Sequence, residues 1–181
     1  YDHCCDIGPL QYAIQIKTQL KELSAPLPIY APEGEFFKLL KWEDYTYGVS
    51  FDENSSLTLG PFEISFIKNI HPVKAYSVRI KCGDKIFSFT SDTSYFENLA
   101  EFFTGSDLLI CECSFYSDMD GTKAGHLNSS QAGLLAEKAN VKKLILTHLP
   151  HFGELNNLLA EANELYKGET ALASYLMEIN L

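Results

Sequence analysis

The stretch AGHLNSSQAGLLAEKANVKKLILTHLPH, residues 124–151, decides the fold. Asn128 and Ser129 stand where helix caps belong, so the spacing predicts a helix over 129–139. The apolar run Leu144-Ile145-Leu146 then reads as a buried strand that ends at Thr147-His148. A Gly-His loop therefore precedes the helix, and a histidine leaves the strand that follows it. That is one helix–strand unit of a layered α/β protein.

The same grammar extends outward. Residues 107–111 (DLLIC) form a second buried strand that exits at Glu112, and 95–103 read as a helix. Phe87-Ser88-Phe89 leads to Thr90-Ser91-Asp92. Tyr76 to Ile80 and Lys85 to Phe89 alternate around the turn Gly83-Asp84, which predicts an antiparallel pair. Phe62, Ile64 and Phe66 mark another strand, over 62–70, closed by His71. Further out, 8–23 reads as a helix, Leu27 to Tyr30 as a short strand and 33–41 as a short helix. On the other side, 154–166 reads as a helix closed by Gly168, and 175–179 as a final strand. The aromatic residues of 31–60, among them Phe37, Trp42 and Tyr47, suit a pocket rim, ordinary packing or a dimer contact alike.

Composition narrows the function. The 181 residues are 46% apolar and 21% charged, the balance of a globular chain. The 24 acidic residues outweigh 14 basic ones, for a net charge of −10, and Arg79 is the one arginine. That surface is a poor match for a long nucleic-acid backbone, which needs clustered Lys and Arg. No apolar run approaches the roughly 18 residues of a membrane span. Five cysteines without a CxxC pair exclude a thiolate zinc knuckle and predict reduced thiols, hence a cytoplasmic location. Cys111 and Cys113 flank Glu112 and read as small buried hydrophobes on the opposite strand face.

Four ionisable groups thus leave four strands: His71, Asp92, Glu112 and His148. In open α/β sheets a site forms at the carboxyl ends of the strands. Imidazole and carboxylate donors suit zinc, with iron or manganese as further options. Taken singly, each residue has a plainer explanation. His71 precedes Pro72 and fits a structural role. Asp92 could cap a helix, His126 could be a solvated loop residue, and Asp2 and His3 could be solvated at a chain end.

The order of these residues resembles the metallo-β-lactamase superfamily, and is most similar to its ribonuclease Z-like, phosphodiesterase branch. The most specific stretches are SDTSYFENL (91–99), DLLICECSF (107–115) and 124–151. Tyr1-Asp2-His3 matches the end of the superfamily signature His-x-His-x-Asp-His. The resemblance implies that the first two histidines and the opening strands precede residue 1. Residues 1–181 would then be the C-terminal three-quarters of one metallo-hydrolase domain, a four-layer αββα sandwich lacking its first strands. It further implies two divalent metal ions, zinc first. The missing histidines and His71 would hold one; Asp2, His3 and His148 the other; Asp92 would bridge them. His126 would be the general acid, oriented by Glu112, and Asp2 would belong to the catalytic set. Two cations about 3.5–4 Å apart can share an activated hydroxide. The implied reaction is hydrolysis of a small phosphodiester or ester by a homodimer. Processing of tRNA 3′ ends is a second option, although no Gly- and Lys-rich arm is present. A non-catalytic metal-binding scaffold and an iron redox or thiol-ester enzyme are others.

Overall fold

The computed structural model describes residues 4–181, which divide into two compact units, 4–52 and 53–181. The first unit holds α1 (Ile7–Gln19), β1 (Leu27–Pro32), a 3-10 turn (Phe37–Leu40) and β2 (Thr46–Phe51). β1 and β2 pair in parallel, from Leu27 opposite Thr46 to Pro32 opposite Phe51. Gln11 ties this unit together: its amide donates to the Leu39 carbonyl at 2.7 Å and to Thr46 Oγ1 at 3.1 Å. Phe37 lies so close to Gly48 that a Cβ there would meet its ring at 2.9 Å. Trp42 donates its indole N–H to Gln15. Phe37 therefore packs within this unit, whereas Trp42 stays 44% exposed.

The second unit is built on a seven-stranded sheet in sequence order: β3 (Ser56–Leu59), β4 (Phe62–Lys68), β5 (Tyr76–Cys82), β6 (Lys85–Phe89), β7 (Leu108–Glu112), β8 (Lys143–Thr147) and β9 (Glu169–Leu172). β3 to β6 form an antiparallel meander. β6 to β9 are parallel, joined through α2 (Asn98–Phe102), α3 (Ser129–Lys138) and α4 (Leu155–Leu165). Gly83 turns the β5–β6 hairpin with φ +61°, the left-handed conformation this tight turn needs.

Alternation along β7 and β8 sorts the two sheet faces. Leu109, Cys111, Leu144 and Leu146 join Leu99, Phe103, Leu135, Ala136 and Leu158 in one core beneath the helices. Cys113 belongs to that core too; burial raises its thiol pKa to about 12, and burial also pushes the Cys111 thiol up. Both cysteines are the buried hydrophobes expected. Glu112 points to the other face.

α3 starts with a capping box: the Asn128 side chain accepts from Gln131 N–H, and the Gln131 side chain accepts from Asn128 N–H. Two C-terminal expectations are corrected. The last strand is Glu169–Leu172, not 175–179. Only the former lies beside β8; the chain turns at Tyr175-Leu176, and Tyr175 is 92% exposed. Gly168 does not cap α4, which ends at Leu165. Gly168 instead leaves room for the Tyr166 ring, whose hydroxyl donates to the Val141 carbonyl.

Because β4 and β6 both run antiparallel to β5, they leave the sheet on the same edge. β7 and β8, parallel to β6, leave there too. Four strand exits converge on one rim.

Candidate metal centre

Each exit delivers one of the ionisable groups. His71 follows β4 by three residues, Asp92 follows β6 by three, Glu112 ends β7 and His148 follows β8 directly. Asn69, 7% exposed, ties the first two exits together. Its amide donates to the carbonyls of Thr90 (2.8 Å) and Asp92 (3.0 Å), and its carbonyl accepts from Ser77 N–H and Oγ–H. Asp92 is not a helix cap: α2 begins at Asn98, with Glu97 before it. Ser91 and His148 both adopt φ +52°, an unusual backbone for non-glycine residues that is found at sites over-determined by their surroundings.

Glu112 is the hub. It is 1% exposed, and its two oxygens are fully engaged. Oε1 accepts from Thr93 N–H at 3.1 Å and pairs with His126 Nδ1 at 2.9 Å. Oε2 accepts from Ser114 Oγ at 2.9 Å and, more loosely, from Ser114 N–H at 3.3 Å. Burial raises its pKa to about 7, against the lowering effect of these hydrogen bonds. Burial also lowers the pKa of His126; the charge of Asp92 opposes that shift, and His71 adds to it.

The histidines share one design. The Nδ1 of His71 faces the Gly125 carbonyl at 3.1 Å. A carbonyl only accepts, so Nδ1 carries the proton and Nε2 the lone pair. His126 presents Nδ1 to Glu112 in the same way. Gly125 is required for this arrangement: at φ +85°, an added Cβ would meet His71 Nδ1 at 2.7 Å. The His126 ring stacks on His148 at 5.2 Å and meets the edge of His71 at 5.1 Å. His148 Nε2 lies 3.8 Å from Asp92 Oδ2.

Ligand atoms of His71, Asp92 and His126 lie within 4.8 Å of one another, as do those of Glu112, His126 and His148. Imidazoles whose far nitrogen is held by an acceptor, beside a carboxylate, are the donor set of a zinc-type centre. The residues therefore fit a divalent cation. Among the expected site residues, His71, Asp92, Glu112, His126 and His148 come together. Asp2 and His3 lie outside the described residues. Asn69, Thr93 and Ser114 were not anticipated. Only Ser114 had a sequence signal: the alternation that sets Glu112 apart from Cys111 and Cys113, carried two residues further, puts Ser114 on the Glu112 side.

This chain belongs to the beta-lactamase superfamily: the Beta-lactamase superfamily domain matches residues 1–149. It is similar to the "Probable metallo-hydrolase YhfI" of Bacillus subtilis, with 44% identity over 96% of this chain and 72% of that protein. The crystal structure of YhfI, a metallo-beta-lactamase fold protein, superposes with a TM-score of 0.90 at 45% identity, covering 95% of this chain and 70% of that one. The expected metallo-β-lactamase fold is thereby established. A Ribonuclease Z of Treponema denticola is 37% identical, over 95% of this chain and 65% of that protein. The ribonuclease Z-like resemblance therefore holds at the level of sequence.

Proposed function

We propose that the chain is a metallo-hydrolase that cleaves a small phosphodiester, with two divalent ions, zinc first, as its cofactors. His71, Asp92 and His148 would hold metal, together with Asp2 and His3. Bound divalent ions supply Lewis-acid polarisation of the ester and acidify water. The chain's own part is proton management. Glu112 keeps the proton on His126 Nδ1 and fixes the ring, so Nε2 faces the site. Nε2 takes up a second proton from solvent, and the resulting imidazolium gives that proton to the oxygen that leaves phosphorus and returns to the neutral ring. A departing alkoxide needs that proton most. The observation that carries this reading is the 2.9 Å contact between His126 Nδ1 and buried Glu112, with the His126 ring lying between His71 and His148.

The test compares two phosphodiesters, one with an aryl and one with an alkyl leaving group, with zinc or manganese added. Metal-dependent turnover is expected. His126→Ala should cost on the order of 10²-fold or more on the alkyl ester, and less on the aryl one. No metal-dependent turnover of either would sink the proposal.

The identity to the Treponema denticola Ribonuclease Z favours a second reading, cleavage at tRNA 3′ ends. The net charge of −10 weighs against it. Salt-sensitive cleavage of a precursor tRNA, faster than that of the small esters, would reverse the ranking.

A further inference from the structure

Ser114 follows Cys113, two residues past the end of β7, beside the chain that leaves β8. Glu112 and Thr147 are register partners, and Cys113 N–H donates to the Thr147 carbonyl at 2.8 Å. The residues that follow each strand are therefore held side by side. Ser114 Oγ stands between two groups, 2.9 Å from Glu112 Oε2 and 2.7 Å from His148 Nδ1.

A hydroxyl has one proton to give; the His148 carbonyl is a distant third partner at 3.4 Å, and the two close neighbours differ in what they can do with the proton. An ionised carboxylate only accepts, so the hydroxyl proton goes to Oε2. The oxygen lone pair is then left for His148, which must bring the proton on Nδ1. The chain of donors runs from His148 Nδ1–H to Ser114 Oγ, and from Ser114 O–H to Glu112 Oε2. It leaves the His148 lone pair on Nε2, the nitrogen 3.8 Å from Asp92 Oδ2. His148 has particular need of such a tether. Its side chain is 51% exposed, and its backbone sits at φ +52°.

We infer that Ser114 is a positioning residue for His148, and that through it one buried carboxylate orients both the metal-binding His148 and the proton-transfer His126. The inference rests on the proposed role of His148 as a metal ligand. Glu112 and Ser114 would then couple the two halves of the site: loosening Glu112 disturbs both histidines, whereas loosening Ser114 disturbs His148 alone.

Two readouts test it in wild type, Ser114→Ala and Ser114→Thr. The first is the tautomer of each ring in the metal-free protein, from long-range 1H–15N correlation spectra. Wild type and S114T should hold His148 with Nδ1 protonated. S114A should shift His148 toward the Nε2–H form and leave His126 unchanged. The second is zinc affinity by competition with a chromophoric chelator. S114A should bind about 10–100-fold more weakly, as loss of an outer hydrogen-bond partner does, with S114T restoring the affinity. An S114A protein whose His148 keeps the wild-type tautomer overturns the inference, and the tautomer decides wherever the two readouts disagree. Failure of wild type to bind zinc would instead remove the metal-centre reading, and the spectra would still settle what Ser114 does. Matched thermal melts guard against a variant that has lost its fold, and S114T keeps the test open if S114A has.

Discussion

Glu112 is where site and stability pull in opposite directions. Its carboxyl is raised from its ordinary value near 4.5 to about 7 by burial. A raised pKa means the folded state binds the proton more tightly than the unfolded state. The contribution to stability is therefore complete below about 4.5 and lost as pH rises through about 7. In metal-free protein, Glu112→Gln should gain on wild type between pH 4.5 and 8 by up to about 3 kcal/mol, following the constant of 1.36 kcal/mol per pH unit. Denaturant melts of the two proteins at both pH values check this; a gap that stays constant would contradict it. The same variant should lose hydrolytic activity, because Gln cannot hold His126 as a carboxylate does. Cysteine chemistry gives a second residue-level check. Cys111 and Cys113 are fully buried and their thiol pKa values are raised, whereas Cys5 is exposed. Alkylation of the native protein at pH 8 should mark Cys5 and spare Cys111 and Cys113 until the protein is unfolded. Mass spectrometry of the labelled peptides reads the outcome.

At the scale of elements, the legible ones were those with a strong apolar run and a sharp exit. β7 and β8 are such runs, and they place Glu112 and His148 at their ends. The β5–β6 hairpin was equally plain from alternation around Gly83. β2 was missed because its sequence, Thr46-Tyr47-Gly48-Val49, carries a glycine that serves Phe37 packing and says nothing local about a strand. Residues 175–179 are a mostly apolar run but lie outside the sheet, and pairing rather than apolar character makes a strand. Asn69 was illegible because its work is long-range: it joins the ends of β4 and β6 across some twenty residues of chain. Helix packing gives the prediction at this scale. Gly133 in α3 lies against the backbone of Ala162 in α4, closer than any Cβ could fit. Gly133→Ala gains helix propensity yet should destabilise by about 1–3 kcal/mol, because the two helices must separate. Chemical denaturation decides, and a stabilised variant would show that the helices part freely.

At the scale of the molecule, the site is an edge property. No single residue named it in sequence; the mixed sheet brings four strand exits to one rim, and residues spread from 71 to 148 meet there. That convergence is why order along the chain was informative while each histidine alone was not. Among the described residues, no helix is long and apolar enough to cross a membrane.

The most direct measurement is metal content by elemental analysis, after loading with zinc and removing the excess, on wild type and on His148→Ala and Asp92→Ala. The account expects wild type to retain bound zinc, held through His148 and Asp92, and each variant to retain less. A wild-type protein that retains no metal, or variants that retain as much as wild type, would contradict it.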